Sequence, residues 1–429
     1  MLSYDALLHP RDELAATIET IYRFRMTTTS GGNLSIRTSE GDIWITPARV
    51  DKGQLTRDDI VVVRTDGRVE GKHRPSSEYP FHLATYQSGA DIGAVVHAHP
   101  VALVAFSIAR QVPDTHLFRQ AFDVCGDVGF APYALPGSDQ LGQNIARAFE
   151  QGFRCVVLEN HGVVVAGCHL QNAFQKFETL EFTAKTEIMA RQLGKVHYLT
   201  EDQLCLAEKT NWLPTDPTPL EVSVEEKELR RQLCNFVRRG YQQRLLISTE
   251  GTFSARMGED DFLITPYRAN RAKLQLGDLV RVKQGVAFTQ GKPSRATAVH
   301  RALYQMHPQV NSIVNAYPVH ASAFCVTRAE LDARTIPESY LFLRDIQRIP
   351  FGLQFTSPET IAATISMANP VALLENDGAL VLGASILDTF DRLEVLETTA
   401  EAILNAAPLG PVQAMSDEVI DELKAAFDK

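Results

Sequence analysis

The sequence predicts two tandem copies of one three-layer α/β/α domain, each with a mostly antiparallel central sheet. Three observations predict it. A long-range internal repeat divides the chain, each half carries the same order of helical and strand-like apolar runs, and 429 residues exceed one ordinary core.

The repeat comes first. Ile45-Thr46-Pro47 recurs as Ile264-Thr265-Pro266, and the run Leu55–Val61 recurs as Leu274–Val280. Pro75-Ser76 recurs as Pro293-Ser294, His82 as His300, and Leu158-Glu159-Asn160 as Leu374-Glu375-Asn376. Glu178 and Glu181 match Glu394 and Glu397. An ordered series at a nearly constant offset marks a duplication. The join falls in TNWLPTDPTPLEV, whose prolines lack donors and disfavour helix, so it reads as a linker. The expected division is a first copy over 1–209, a linker over 210–223 and a second copy over 224–429.

Within the first copy, the spacing predicts an opening helix over Arg11–Arg25. Strands follow at Leu34–Arg37, Asp42–Thr46 and Ile60–Arg64, then a helix over Glu78–Ser88. Ile92–His99 and Cys155–Ala166 read as strands, the latter with a turn inside. Apolar residues at helical spacing close the copy over Asn172–Leu193. A new amphipathic helix, Val224–Gly240, opens the second copy. Helices mixed with mostly antiparallel strands imply three layers.

Composition excludes several function classes. Hydrophobic residues make up 45% and charged residues 22%, so the chain is globular rather than disordered. With 42 Lys+Arg against 52 Asp+Glu the formal charge is −10, and no basic stripe suited to nucleic acid stands out. The six cysteines form no CxxC pair, which argues against a zinc ribbon or a thioredoxin-like motif and suits a reducing compartment. The start lacks a basic segment followed by an apolar core, and no apolar run is long enough to span a bilayer. A soluble cytoplasmic protein with no membrane or nucleic-acid partner is expected.

Four elements carry chemistry. His97-Ala98-His99 lies on an apolar strand, and strand alternation puts both imidazoles on one side, within reach of one divalent ion. Two histidines satisfied by hydrogen bonds are the competing reading. Glu159-Asn160-His161-Gly162 interrupts a strongly apolar run, so its polar groups need partners. His161 could be a third imidazole, completing an open catalytic metal set, or an exposed turn residue. Ser76-Ser77-Glu78 precedes a helix, where hydroxyls and free N–H groups suit an anion or form a plain cap. Gly31-Gly32 before a strand could cradle a phosphate or simply turn the chain.

Together, SGGNLS, ITP, PSSE followed by His82, HAHP and ENHG resemble the class II aldolase/adducin superfamily. The resemblance covers about residues 10–205 fully and 225–410 more weakly. It implies a metal-dependent aldolase or related lyase acting on a sugar phosphate or sugar acid through a metal-stabilised enediolate. Epimerase, dehydratase and decarboxylase activities are its alternatives, and an adducin-like interaction module is a third. It implies Zn²⁺ or another divalent ion on His97, His99 and His161, with Glu78 as the acid/base group. Gly32, Asn33, Ser76 and Ser77 would then hold the substrate phosphate.

The sequence also departs from the family. Where many members have a hydroxyl-Gly pair after ITP, this chain has Ala48-Arg49. Arg49 could grip a phosphate or carboxylate, or block the pocket, and Arg268 at the matching place favours a shared structural role. The family's tyrosine, supplied across a subunit boundary, has His116 near its place, and Tyr340 aligns with His116 in the second copy. Either could enter a site from outside, or Tyr340 could be a packed aromatic. In the second copy Glu78 maps to Ala296, His97 to Asn315, His99 to Tyr317, His161 to Asp377 and Asn33 to Thr252. That set cannot replace three imidazoles for zinc, so the copy reads as a pseudo-enzyme domain. The family's fourfold tetramers imply a homodimer with pseudo-fourfold symmetry.

Overall fold

The computed structural model describes residues 8–208 and 212–427. The chain's first residues, on which the expectation of no leader rests, and the start of the expected linker lie outside the described residues. No described helix is long and apolar enough to cross a membrane. The chain divides into two compact units. One runs to Thr115 and resumes from Gln120 to Lys185; the other takes His116–Arg119 and the chain from Thr186 onward.

The first unit is built on an eight-stranded sheet. Its strands are β1 (Asn33–Arg37), β2 (Ile43–Ile45), β3 (Val61–Val63), β4 (Val69–Glu70), β5 (Ala94–Ala98), β6 (Val128–Ala131), β7 (Cys155–Leu158) and β8 (Gly162–Gly167). The spatial order is β4-β3-β2-β1-β5-β8-β7-β6, and only β6 and β7 pair in parallel. The central strands β5, β7 and β8 are buried at every residue, which is why they read as unbroken apolar runs. Ile45, Val63, Val95, Val156 and Val164 pack on one face against α2 (Tyr79–Ser88) and α5 (Asp139–Glu150). On the other face α1 (Pro10–Arg23) meets β1, and α3 (Val101–Ile108) meets β7 and β8.

The second unit repeats this design. Its sheet runs from Gln347–Ile349 through Val371–Leu374, Gly378–Gly383, Ser312–Ala316, Thr252–Gly258, Asp261–Ile264, Val280–Lys283 and Val286–Phe288 to Thr215–Asp216. Phe253, Leu263, Val314 and Val381 face one helical layer; Phe262, Ile264, Ile313 and Leu382 face the other. Alternate residues of the same strands thus supply two cores, as three layers require.

Several sequence expectations shift. The α2 helix begins at Tyr79 with Glu78 as its N-cap, so Glu78 lies outside the first turn. The β5 strand ends at Ala98, leaving His99 just beyond it. The described part of the Pro-rich segment adds an edge strand, Thr215–Asp216, between two prolines. An edge tolerates prolines because one side of the strand needs no donor. Sequence reading missed α3, α5 and β6. The α5 helix had a legible signal: Ser138 caps it, and Leu141, Ile145, Ala148 and Phe149 bury one stripe.

One polar triad is repeated in both units. The Ser35 hydroxyl lies 2.7 Å from His82 Nδ1 and 2.7 Å from the Tyr86 hydroxyl. Ser254, His300 and Tyr304 make the same contacts at the same distances. Burial pushes the His300 imidazole down to about 4 from an ordinary 6.5, despite a hydrogen bond with Asn315 that favours its charge. The unfolded chain therefore takes up a proton on His300 that the folded chain refuses. Stability is full above pH 6.5 and falls as pH drops toward 4, by about 1.4 kcal/mol per pH unit from this one group. Denaturation titrations across that window should show His300→Gln with a shallower slope by about that amount; an unchanged slope would contradict it.

Candidate metal centre

The site is assembled where β1, β5 and β8 adjoin. Asn33 on β1 stands opposite His97 on β5, and His97 stands opposite Val164 on β8. The His97 Nδ1–H donates to the Val163 carbonyl at 2.9 Å, which fixes the ring and leaves Nε2 facing the site. His99 Nε2 lies 3.1 Å from His97 Nε2. His161 comes from the turn between β7 and β8; its ring centroid is 4.8 Å from that of His97 and 5.1 Å from that of His99. One nitrogen from each of the three rings falls within 4.8 Å of the others.

Glu78 closes the cluster. Its Oε2 lies 3.2 Å from His97 Nε2 and accepts a 2.8 Å hydrogen bond from Asn33 Nδ2. Its Oε1 lies 3.3 Å from His161 Nε2. Burial works to raise this carboxyl's pKa, but His97 by charge and hydrogen bond, the Asn33 amide and His161 outweigh it. The net effect holds Glu78 well below the usual carboxylate range. Burial, reinforced by His97, pushes His99 down to about 3 and His161 to about 4. Both rings are therefore neutral at pH 7, the form that donates a lone pair to a metal.

These residues fit a divalent cation. Glu78 Oε1 and His161 Nδ1 are buried without a hydrogen-bond partner among the described residues. Such orphaned atoms are costly, and a cation or a bound substrate among them accounts for the arrangement. Three imidazoles and a carboxylate are a donor set suited to zinc or a similar ion.

The remaining predicted residues divide. Ser76 is buried and its hydroxyl accepts from the Glu78 N–H at 3.2 Å, whereas Ser77 is exposed. Gly32 has φ +73°, and a Cβ there would meet the His97 carbonyl at 2.9 Å, so its backbone conformation and its packing both call for glycine. Gly162 admits the Ala98 carbonyl and the His99 ring, each 2.6 Å from where a Cβ would stand. Arg49 is exposed with φ +58°, and Arg268 repeats that conformation at +52°. His116 and Tyr340 belong to the second unit. There the His116 carbonyl accepts from the Leu199 N–H at 2.8 Å, and Tyr340 is buried with Arg344 over its ring.

Sequence reading quoted His82 only as a repeat and motif residue, and it missed Ser107 and Lys52. His82 Nε2 lies 2.5 Å from Asn33 Oδ1, so the Ser35, His82 and Tyr86 triad orients Asn33, which in turn holds Glu78. Ser107 clamps the turn before His161, donating to Leu158 O at 2.6 Å and accepting from the His161 N–H at 2.9 Å. Lys52 is buried; its Nζ donates to Pro47 O, its backbone N–H to Thr29 O, and burial lowers its pKa to about 8. Its counterpart Arg271 also donates to the carbonyl of the Ile-Thr-Pro proline, Pro266. A basic residue at both repeat positions was the available signal.

Fold and site thus define a duplicated three-layer α/β protein with a histidine–carboxylate cluster in its first unit. The family described as "Class II Aldolase and Adducin N-terminal domain" matches residues 12–188 and again 231–404, and the chain belongs to that family. The chain is 33% identical over 199 residues to the 5-deoxy-D-ribulose 1-phosphate aldolase of Bacillus thuringiensis serovar kurstaki, covering 45% of this chain and 91% of the relative. It is 30% identical over 187 residues to the 3-oxo-tetronate 4-phosphate decarboxylase of Haemophilus influenzae, covering 43% and 88%. Among solved structures, an L-fuculose 1-phosphate aldolase is similar at 34% identity and TM-score 0.43, over 49% of this chain and 97% of that one.

Gly32→Ala should disturb this site by pushing the His97 carbonyl and forcing a left-handed alanine. A stability loss of at least about 1 kcal/mol is expected, together with weakened metal retention in dialysed protein. A variant matching the parent in both measurements would show that the loop yields without cost and would overturn this reading of Gly32.

Proposed function

We propose that the first copy is a metal-dependent lyase that cleaves a carbon–carbon bond in a sugar phosphate or sugar acid. The observation that carries this reading is the convergence of His97, His99, His161 and Glu78, with Glu78 Oε1 and His161 Nδ1 buried without a hydrogen-bond partner among the described residues. The three imidazoles would hold Zn²⁺ or another divalent ion. When bound, that ion supplies Lewis-acid stabilisation for negative charge developing on substrate oxygens. Glu78, anchored by Asn33, is the group placed to move a proton at the adjacent carbon or oxygen. Gly32, Asn33, Ser76 and Ser77 would present donors to a phosphate, with Arg49 at the rim.

Decarboxylation is the second reading. It uses the same charge development with carbon dioxide as the departing fragment, and similarity to a 3-oxo-tetronate 4-phosphate decarboxylase favours it alongside aldol cleavage. A purely non-catalytic module has no use for this intact donor set. In this reading the chain comprises a metal-site copy over 1–209, a joining segment over 210–223 and a copy without the ligands over 224–429. It assembles as a homodimer, and sedimentation giving a 47.5 kDa species under assay conditions would exclude that assembly.

Metal analysis with activity screening tests the core claim. The parent chain should carry metal, and His97→Ala and His161→Ala should reduce it to background. Glu78→Gln should keep the metal yet lower turnover by about 10²- to 10⁴-fold. The screen offers ketose phosphates and keto-sugar acids and detects released aldehyde or carbon dioxide. Metal content indifferent to the histidine variants would end the proposal.

A further inference from the structure

The second copy has lost its metal ligands without closing the space around them. A small pocket remains there, lined in part by Thr252, Arg268, Ser294, Arg295 and Asp377. A copy kept for packing alone would be expected to fill such a cleft with apolar side chains. This one combines Val299, Phe355 and Leu374 with charged and hydrogen-bonding groups.

Those groups are differently arranged from the first copy. Arg295 replaces Ser77, and Ala296 replaces Glu78, so a guanidinium enters just where the acid/base carboxylate leaves. Arg268 and Arg295 both lie over the Tyr267 ring, at 5.0 and 5.9 Å from its centroid. Arg271 adds a buried positive charge behind them, committed to the carbonyls of Gly251, Pro266 and Ala269. Glu250, at the place of Gly31, and Asp377 both act electrostatically on Arg295, so the pocket's cations are partly compensated. In the deeper part, Asp377 accepts from the Tyr317 hydroxyl and from Gln354 Nε2, each at 3.1 Å. A carboxylate so held keeps lone pairs for ligand hydroxyls. The Thr252 and Ser294 hydroxyls, 2.5 Å apart, line the same pocket.

We propose that this pocket is a metal-free binding site for a small hydroxylated anion. A phosphate or carboxylate would meet Arg268 and Arg295, and the ligand's hydroxyl groups would meet Asp377 and Gln354. Forked guanidinium donors suit either headgroup. The inference does not depend on the first copy being catalytic.

Calorimetric titration of the full chain tests it with glycerol 3-phosphate, glycerate and glycerol as probes. To remove the first site, the titrated chain carries His97→Ala and His161→Ala. At least one anion should bind and glycerol should not; the tighter anion identifies the headgroup. Arg268→Ala and Arg295→Ala should each weaken binding by about tenfold or more. Arg268 is exposed, so its variant keeps the test valid if Arg295→Ala disturbs folding. The proposal is overturned if neither anion binds the double variant, or if Arg268→Ala binds as the parent does.

Discussion

Everything in the first unit's site depends on β5 lying between β1 and β8. That placement sets Asn33 on one side of His97 and the Val163 carbonyl on the other. The carbonyl takes the Nδ1 proton, so the remaining nitrogen is directed into the site. Asn33 hands the geometry on to Glu78, which faces both His97 and His161. A slip of one residue in the β1–β5 register would turn the His97 side chain to the opposite face. The polar centre is therefore only as precise as the apolar strands that carry it.

Burial then does chemical work as well as structural work. Taking imidazoles out of water disfavours their charged form, and the neighbouring rings disfavour it further. The same burial would neutralise Glu78 were it alone, and the surrounding histidines and Asn33 reverse that tendency. The result is neutral His99 and His161 rings beside an ionised carboxylate. These are the two protonation states that metal binding and proton transfer require.

Much of this was legible because the informative residues interrupt strong patterns. His97 and His99 stand in an apolar strand, and Glu159 to Gly162 break another. The repeat could be aligned because its turns and prolines recur. What was hidden is tertiary. Nothing local links Ser35, His82 and Asn33, which meet only when β1 and α2 pack. Ser107 reads as one polar residue in an apolar helix until it is seen holding the turn before His161. His116 was grouped with the site by motif, yet its segment bonds elsewhere: Leu117 O accepts from Asn376 and Leu204 O from Arg119, within the second unit. Helix and strand ends shifted by a residue or two for a simpler reason, since caps depend on backbone geometry that composition specifies weakly.

The two copies separate scaffold from chemistry residue by residue. Ser254, His300 and Tyr304 keep the contacts of Ser35, His82 and Tyr86, although the second copy has no Glu78 to orient. The triad must therefore serve the fold, tying the strand that carries the serine to the helix above it. What changes is the group beyond it: His82 reaches Asn33, whereas His300 reaches Asn315, which stands where His97 would be. One conserved buried imidazole thus supports a carboxylate holder in one copy and replaces a metal ligand's environment in the other. Beside that self-satisfied polar framework, the second pocket holds Asn315, Tyr317 and Asp377 where the first copy has imidazoles, Ala296 where it has Glu78 and Arg295 where it has Ser77.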